Sequence, residues 1–153
     1  MDISSLDERQ LAALEVLMAE AFADEPADML HVEIQRASDP RLGRGLVATQ
    51  DGRVVGAVLS RQPQAGSVFV VYVAVTPPLR RRGLARSLLD QLAGAGGERM
   101  ELFVSEGNVA AARLYRAGGL VPVAGPAPQG QRRWAGVWKP HQDRLLACAP
   151  APW

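Results

Sequence analysis

A chain of 153 residues with 48% hydrophobic and 22% charged side chains has the length and balance of one folded domain with a sizeable core, which excludes a disordered polyelectrolyte. A net charge of +1 argues against a nucleic-acid binder that works by bulk charge, and Cys148, the only cysteine, allows no intrachain disulfide and no cysteine metal cluster. No apolar run approaches a membrane span and the acidic start MDISSLDERQ lacks a leader-peptide core, so a cytoplasmic protein with no membrane partner is expected.

The first predicted element is a helix over 6–22, entered at Leu6 or an adjacent serine, with Leu11, Leu14, Leu17, Met18, Ala21 and Phe22 on one face. A linker follows that collects Asp24, Glu25 and Asp28 before a shorter helical pattern of Met29, Leu30, Ile34 and Ala37. Asp28 suits the start of that helix, where a carboxylate meets unpaired N–H groups. Next come strands at 46–49 and 53–61 around Gln50-Asp51-Gly52, with Asp-Gly as the hairpin signal.

The stretch 67–89, SVFVVYVAVTPPLRRRGLARSLL, reads as strand, tight loop, helix. Residues 68–75 are an unbroken β-branched run of strand length, consistent with burial on both faces, and Pro77 and Pro78 end it. Arg80, Arg81, Arg82, Gly83, Leu84 and Ala85 then open a helix whose Leu84, Leu88, Leu89 and Leu92 share a face. The first N–H groups of a helix lack intrahelical partners and sit at the positive end of its dipole, so anions bind there. Gly83 removes the Cβ that would hold a phosphate off, Ala85 keeps the next turn slim, and the guanidiniums add charge-assisted contacts. A solvated arginine loop is the alternative that this segment alone leaves open.

Glycines at 94–97 break that helix, a strand at 100–105 follows, and Asn108 caps a further helix containing Ala110, Ala111, Ala112 and Tyr115. Strands at 120–123 and 134–139 flank a Gly/Pro/Gln loop, and the tail holds a candidate short helix at 142–148.

Val75-x-Pro77-x-x-Arg80-x-x-Gly83-x-Ala85, followed by Asn108-x-x-Ala111-x-x-Leu114-Tyr115-x-x-x-Gly119-Leu120, resembles the GNAT superfamily of acyl-CoA-dependent N-acyltransferases over roughly 67–123. The resemblance implies an α+β fold: a mixed, mostly antiparallel sheet of about six to seven strands, splayed at a central parallel pair and flanked by helices. One domain over 1–140 and a tail over 141–153 are expected.

It also implies a site. In the family the central strand is bulged, its neighbour splays away, and the pantetheine arm of acetyl-CoA enters the gap like an added strand. By motif position the cofactor residues here are Val73, Ala74 and Val75 on that strand, Arg80, Arg81, Arg82, Gly83, Leu84 and Ala85 around the pyrophosphate, and Asn108 at the arm. The Val73 N–H would donate to the thioester oxygen and Tyr115 would be catalytic, facing the departing sulfur. In the family the first helices border the acceptor groove, which would give Asp24, Glu25 and Asp28 an acidic lip, with helix ends as their plainer use; Arg132, Arg133 and Trp134 would lie beside it.

One departure stands out. Many members carry a glutamate on the central strand or five residues before the motif asparagine; here the central strand has no acid and the second position is Phe103. Glu101 shares the strand face of Phe103, and Glu106 lies in the next loop. No residue is assigned as base. The implied activity is direct acetyl transfer from acetyl-CoA to a primary amine of a small molecule or a protein N-terminus, without metal or nucleic acid, by a monomer or homodimer. A non-catalytic acyl-CoA-binding module and, further off, a nucleic-acid or protein interaction domain are the alternatives.

Overall fold

The computed structural model describes residues 1–94 and 99–139. Part of the 94–97 glycine stretch and the candidate helix at 142–148 therefore lie outside the described residues. The elements run β1 (Asp2–Ser5), a 3-10 turn (Glu8–Gln10), α1 (Leu11–Ala21), α2 (Ala27–Ser38), β2 (Gly43–Gln50), β3 (Arg53–Arg61), β4 (Ser67–Val75), a second 3-10 turn (Pro77–Leu79), α3 (Leu84–Ala93), β5 (Arg99–Ser105), α4 (Val109–Ala117), β6 (Val121–Pro122) and β7 (Gln131–Val137).

The strands form one seven-stranded sheet in the order β1-β2-β3-β4-β5-β7-β6, antiparallel everywhere except β4 against β5. This is the expected α+β sheet with a central parallel pair. Alternation sorts its side chains to two faces. Val58, Val68, Val70, Met100, Leu102 and Val104 join the leucines of α3 and Trp134 in one core, against which Ala111, Leu114 and Tyr115 of α4 also pack. Val47, Ala57, Leu59 and Ala74 meet Leu14, Leu17 and Met18 of α1 and Leu30 and Ile34 of α2 in the other.

Three local features differ from the sequence reading. The chain begins with a strand, β1, whose short polar DISS segment carries too little apolar alternation to register as one. The first helix is entered at Asp7, whose carboxylate accepts from the Arg9 N–H (2.9 Å) while Gln10 accepts from the Asp7 N–H (2.9 Å), a reciprocal capping box. The last strand starts at Gln131, bringing Arg132 and Arg133 into the sheet. The hairpin turn is the expected one. Asp51 and Gly52 both take positive φ (52° and 76°) between paired Gln50 and Arg53, which matches the twist of the strands.

Candidate active site

The site begins with a fault in β4. Tyr72 pairs with Leu59 and Val70 with Ser60, so Val71 is an extra residue on β4 opposite no partner of its own. Val70 and Val73, three apart, therefore both reach the α3-side core, whereas Tyr72 and Ala74 belong to the α1/α2 face. On its other edge β4 pairs with β5 only at Ser67, Val68 and Phe69, opposite Arg99, Met100 and Glu101. Beyond Phe69 the two strands part.

The register shows which backbone groups face that gap. The Thr76 N–H donates to the Val55 carbonyl at 2.9 Å, so Thr76, Ala74 and Tyr72 turn their backbone groups toward β3, and Val73 and Val75 turn theirs toward the gap. Ala74, placed with them by motif position, thus offers the gap no amide. The Val75 carbonyl accepts from Arg80 Nε at 2.9 Å. That bond ties the arginine loop to the strand end and leaves the amides of Val73 and Val75 and the Val73 carbonyl as the gap's free groups among the described residues.

The loop itself takes an unusual backbone. Arg81 (φ 65°) and Gly83 (φ 82°) both lie in the left-handed region, and Gly83 caps α3. The first intrahelical bond in this turn is Ser87 N–H to Gly83 C=O (3.0 Å), so the amides of Leu84 and Ala85 stand at the open helix end, ahead of that first bond. A Cβ built on Gly83 meets no atom within 4 Å and would project into open space ahead of the helix. A cavity of about 210 Å³ opens there, bounded by Gln50, Leu79, Arg82, Gly83 and Ser87. A larger hollow of about 580 Å³ lies beside it between the hairpin tip and Pro78. Both are on the β3 side of the loop. The gap between β4 and β5 is defined by the register, which ends at Phe69 and Glu101.

Across the gap, Asn108 caps α4 by accepting from the Ala111 N–H at 3.1 Å. Tyr115 lies two turns on and packs against the α3-side core with its hydroxyl bonded to none of the described residues. Burial pushes that hydroxyl up to about 12, so it stays protonated at every physiological pH.

The opposite face of the cleft carries aromatic rings and tied charges. Phe69 and Phe103 meet edge to face with centroids 5.1 Å apart. Glu101 accepts from Arg133 Nη2 at 3.0 Å and pairs with Arg99 at 3.5 Å, so the carboxylate nearest Phe103 is held by two guanidiniums. Buried Glu33 of α2 is held the same way, by Arg61 through two bonds and by Arg36 at 3.3 Å. The Phe22 ring, at the end of α1, lies 4.7 Å from that of Tyr72. Sequence reasoning named neither Tyr72 nor Glu33 as a functional residue: Tyr72 is hidden in an apolar run, and Glu33 sits in an ordinary amphipathic pattern. Asp28 occupies the first turn of α2, as its helix-end reading expects.

No group of three or more potential metal-binding His, Cys, Asp or Glu side chains occurs among the described residues, and no described helix is long and apolar enough to cross a membrane.

Comparison with known proteins places these features in a group. The profile of the acetyltransferase (GNAT) family matches residues 11–119. Mycothiol acetyltransferase of Beutenbergia cavernae is 32% identical over 125 residues, covering 74% of this chain and 42% of that protein. L-2,4-diaminobutyric acid acetyltransferase of Nocardia farcinica is 38% identical over 81 residues, covering 49% and 42%. The chain thus spans about two fifths of the length of these two relatives. Among solved structures, the ribosomal-protein-S18-alanine N-acetyltransferase from Escherichia coli superposes with a TM-score of 0.73 at 22% identity, covering 88% of this chain and 91% of that one. The PaiA N-acetyltransferase from Thermoplasma acidophilum, in complex with coenzyme A, gives 0.69 at 15% identity over 90% and 100%.

Proposed function

This chain belongs to the GNAT acetyltransferase family, and we propose that it moves an acetyl group from acetyl-CoA directly to a primary amine. The observation that carries this reading is the juxtaposition of a strand edge with free amides, at Val73 and Val75, and a helix N-terminus opened by a left-handed glycine. An extended amide-bearing arm fits the first and a pyrophosphate the second. The open space ahead of Gly83 is the cradle such a group needs.

Acetyl-CoA supplies the activated acetyl group; the chain's residues position it and stabilise charge. Arg81, Arg82 and the amides of Gly83, Leu84 and Ala85 would hold the pyrophosphate, with Arg80 fixing the loop through Val75. The Val73 N–H would donate to the carbonyl oxygen as negative charge grows there. Asn108 would meet the arm near the start of α4. Tyr115, kept protonated by burial, would give its hydroxyl hydrogen bond to the departing sulfur. Holding both substrates together converts a bimolecular encounter into a local one, which supplies much of the rate.

The acceptor is an amine of a small molecule or a protein. Two relatives are named for small-molecule acceptors and one structural neighbour for a ribosomal protein, which leaves both classes in play. Phe103 in place of the family's acid supports a second reading, a module that binds acyl-CoA without turnover.

A melting screen with CoA, acetyl-CoA and longer acyl-CoAs tests the first step, since a ligand at 100 times its Kd stabilises the native state by about 2.7 kcal/mol. No shift with any CoA species overturns both readings. A shift without thiol release against a broad amine panel selects the binding module.

A further inference from the structure

Asp24, Glu25 and Asp28 were expected either to form an acidic lip on the acceptor side or to serve helix ends. Asp28 serves the first turn of α2. Glu25 is different: its N–H donates to the Phe22 carbonyl at 3.0 Å, holding it one turn beyond the ring that lies 4.7 Å from Tyr72.

Tyr72 occupies the decisive place on β4. It follows the bulge at Val71, lies on the α1/α2 face, and immediately precedes Val73, whose amide faces the gap. If a carbonyl is held at Val73, an acceptor that reaches it from the α1/α2 face would meet Tyr72 as the adjacent side chain of β4. The charges around the ring are unequal in effect. Arg61, the nearby cation, is taken up by Glu33 through two hydrogen bonds. Glu25 makes no ion pair among the described residues and stays exposed. Consistent with this, the Tyr72 hydroxyl is raised above its ordinary range by burial first, then by Glu25 and Glu33, against a smaller opposing effect of Arg61.

We propose that Phe22, Tyr72 and Glu25 form a subsite for a second cationic group of the acceptor, so that preferred acceptors carry an ammonium in addition to the amine that is acetylated. The faces of two tilted rings attract a cation through their quadrupoles, and an unpaired carboxylate one turn away adds a directed charge. The inference rests on the acetyltransferase reading above and goes beyond it by naming the acceptor's second group.

The test compares 1,3-diaminopropane and 1,5-diaminopentane with n-propylamine and n-pentylamine as acceptors, using the full chain and saturating acetyl-CoA. The parent's kcat/KM for at least one diamine exceeds that of its monoamine by about tenfold, the scale of a partly exposed cation–π contact joined by one carboxylate. A second ammonium also lowers the first amine's pKa in solution, so the diagnostic is the change in this ratio between proteins. Glu25→Gln lowers the ratio severalfold and added salt lowers it in the parent. Tyr72→Leu lowers it, and Tyr72→Phe, which keeps the ring, preserves it. Glu25 is exposed, so Glu25→Gln carries the test alone if Tyr72→Leu does not fold. An unchanged diamine-to-monoamine ratio in Glu25→Gln overturns the subsite while the acetyltransferase reading stands. Absence of acetylation of every amine in a broad panel that includes these four, despite a CoA-induced melting shift, overturns the transfer reading and the subsite with it.

Discussion

Replacing Gly83 separates two demands that the loop places on one residue. Its φ of 82° lies where a side chain costs about 1–2 kcal/mol, and more for a β-branched one. Its missing Cβ, by contrast, leaves only open space, so a side chain clashes with no protein atom. Gly83→Val should therefore fold with a melting temperature lower by several degrees, at about 2–4 °C per kcal/mol for a chain of this size. Its effect on CoA should be far larger. If the branched group displaces a phosphate from even one charge-assisted amide bond of about 1.5–3 kcal/mol, affinity falls about 10- to 150-fold. Gly83→Asn divides the causes, since asparagine tolerates the left-handed region yet still fills the cradle. It should melt close to the parent and lose the CoA-induced shift. Circular dichroism and a CoA titration by calorimetry check both variants. A folded Gly83→Val or Gly83→Asn protein that binds CoA as tightly as the parent refutes the placement of the pyrophosphate at this helix end.

Tyr115→Phe keeps the ring against the α3-side core and removes the hydroxyl. Turnover should fall about 10²- to 10⁴-fold with acetyl-CoA binding nearly unchanged, and less with a donor whose thiol leaves more easily; parental turnover with chemistry rate-limiting would make Tyr115 structural. The same hydroxyl predicts an alkaline limit. The unfolded chain releases this proton near pH 10, whereas the fold holds it to about 12, so the contribution is complete below pH 10 and disappears as pH rises through 12, at most about 3 kcal/mol. Denaturant titrations across that window should show a shallower loss in Tyr115→Phe. Gly118→Ala should be among the most destabilising single-atom additions available, because its Cβ would lie 2.1–2.4 Å from three Trp138 ring atoms. Loss of several kcal/mol or failure to fold is expected, and a mild shift in melting temperature would contradict that packing.

How far the sequence went depends on which physical signal each part leaves. The helix of Leu84, Leu88, Leu89 and Leu92 and the Asp51-Gly52 turn were legible because periodicity and turn chemistry are local. The splay of β4 from β5 was not readable from those residues, since Val70 to Val75 look like any buried strand; only the resemblance carried it. Backbone amides leave no side-chain signature, and only the register shows that Ala74 turns its amide toward β3. Gly118 has an ordinary φ of −80°, and the tryptophan 20 residues later is what excludes a side chain there, a contact that no local pattern announces. The Phe22–Tyr72 pair joins elements far apart in sequence, and no pattern in either one points to the other.

The missing acid has a consequence for the acceptor's proton. Phe103 fills the family's second acid position and packs on Phe69, while Glu101 beside it is occupied by Arg133 and Arg99. If the chain transfers acetyl to an amine as proposed, with neither position supplying a base, the reactive species would be the amine that arrives neutral, and rate would follow its neutral fraction. At pH 7 that fraction is about 0.04% for an amine of pKa near 10.4 and about 10% for an α-amino group near 8. On that reading acceptors of low pKa, including protein N-termini and amines close to a second ammonium, should be favoured by roughly two orders of magnitude before any contact is counted. In a pH series, log kcat/KM should rise by about one per unit and level off at the acceptor's own pKa, so that two acceptors of different pKa give two different break points. A single break at the same pH for both would show that a base on the protein takes the proton after all, and Glu101→Gln would then be the first variant to test.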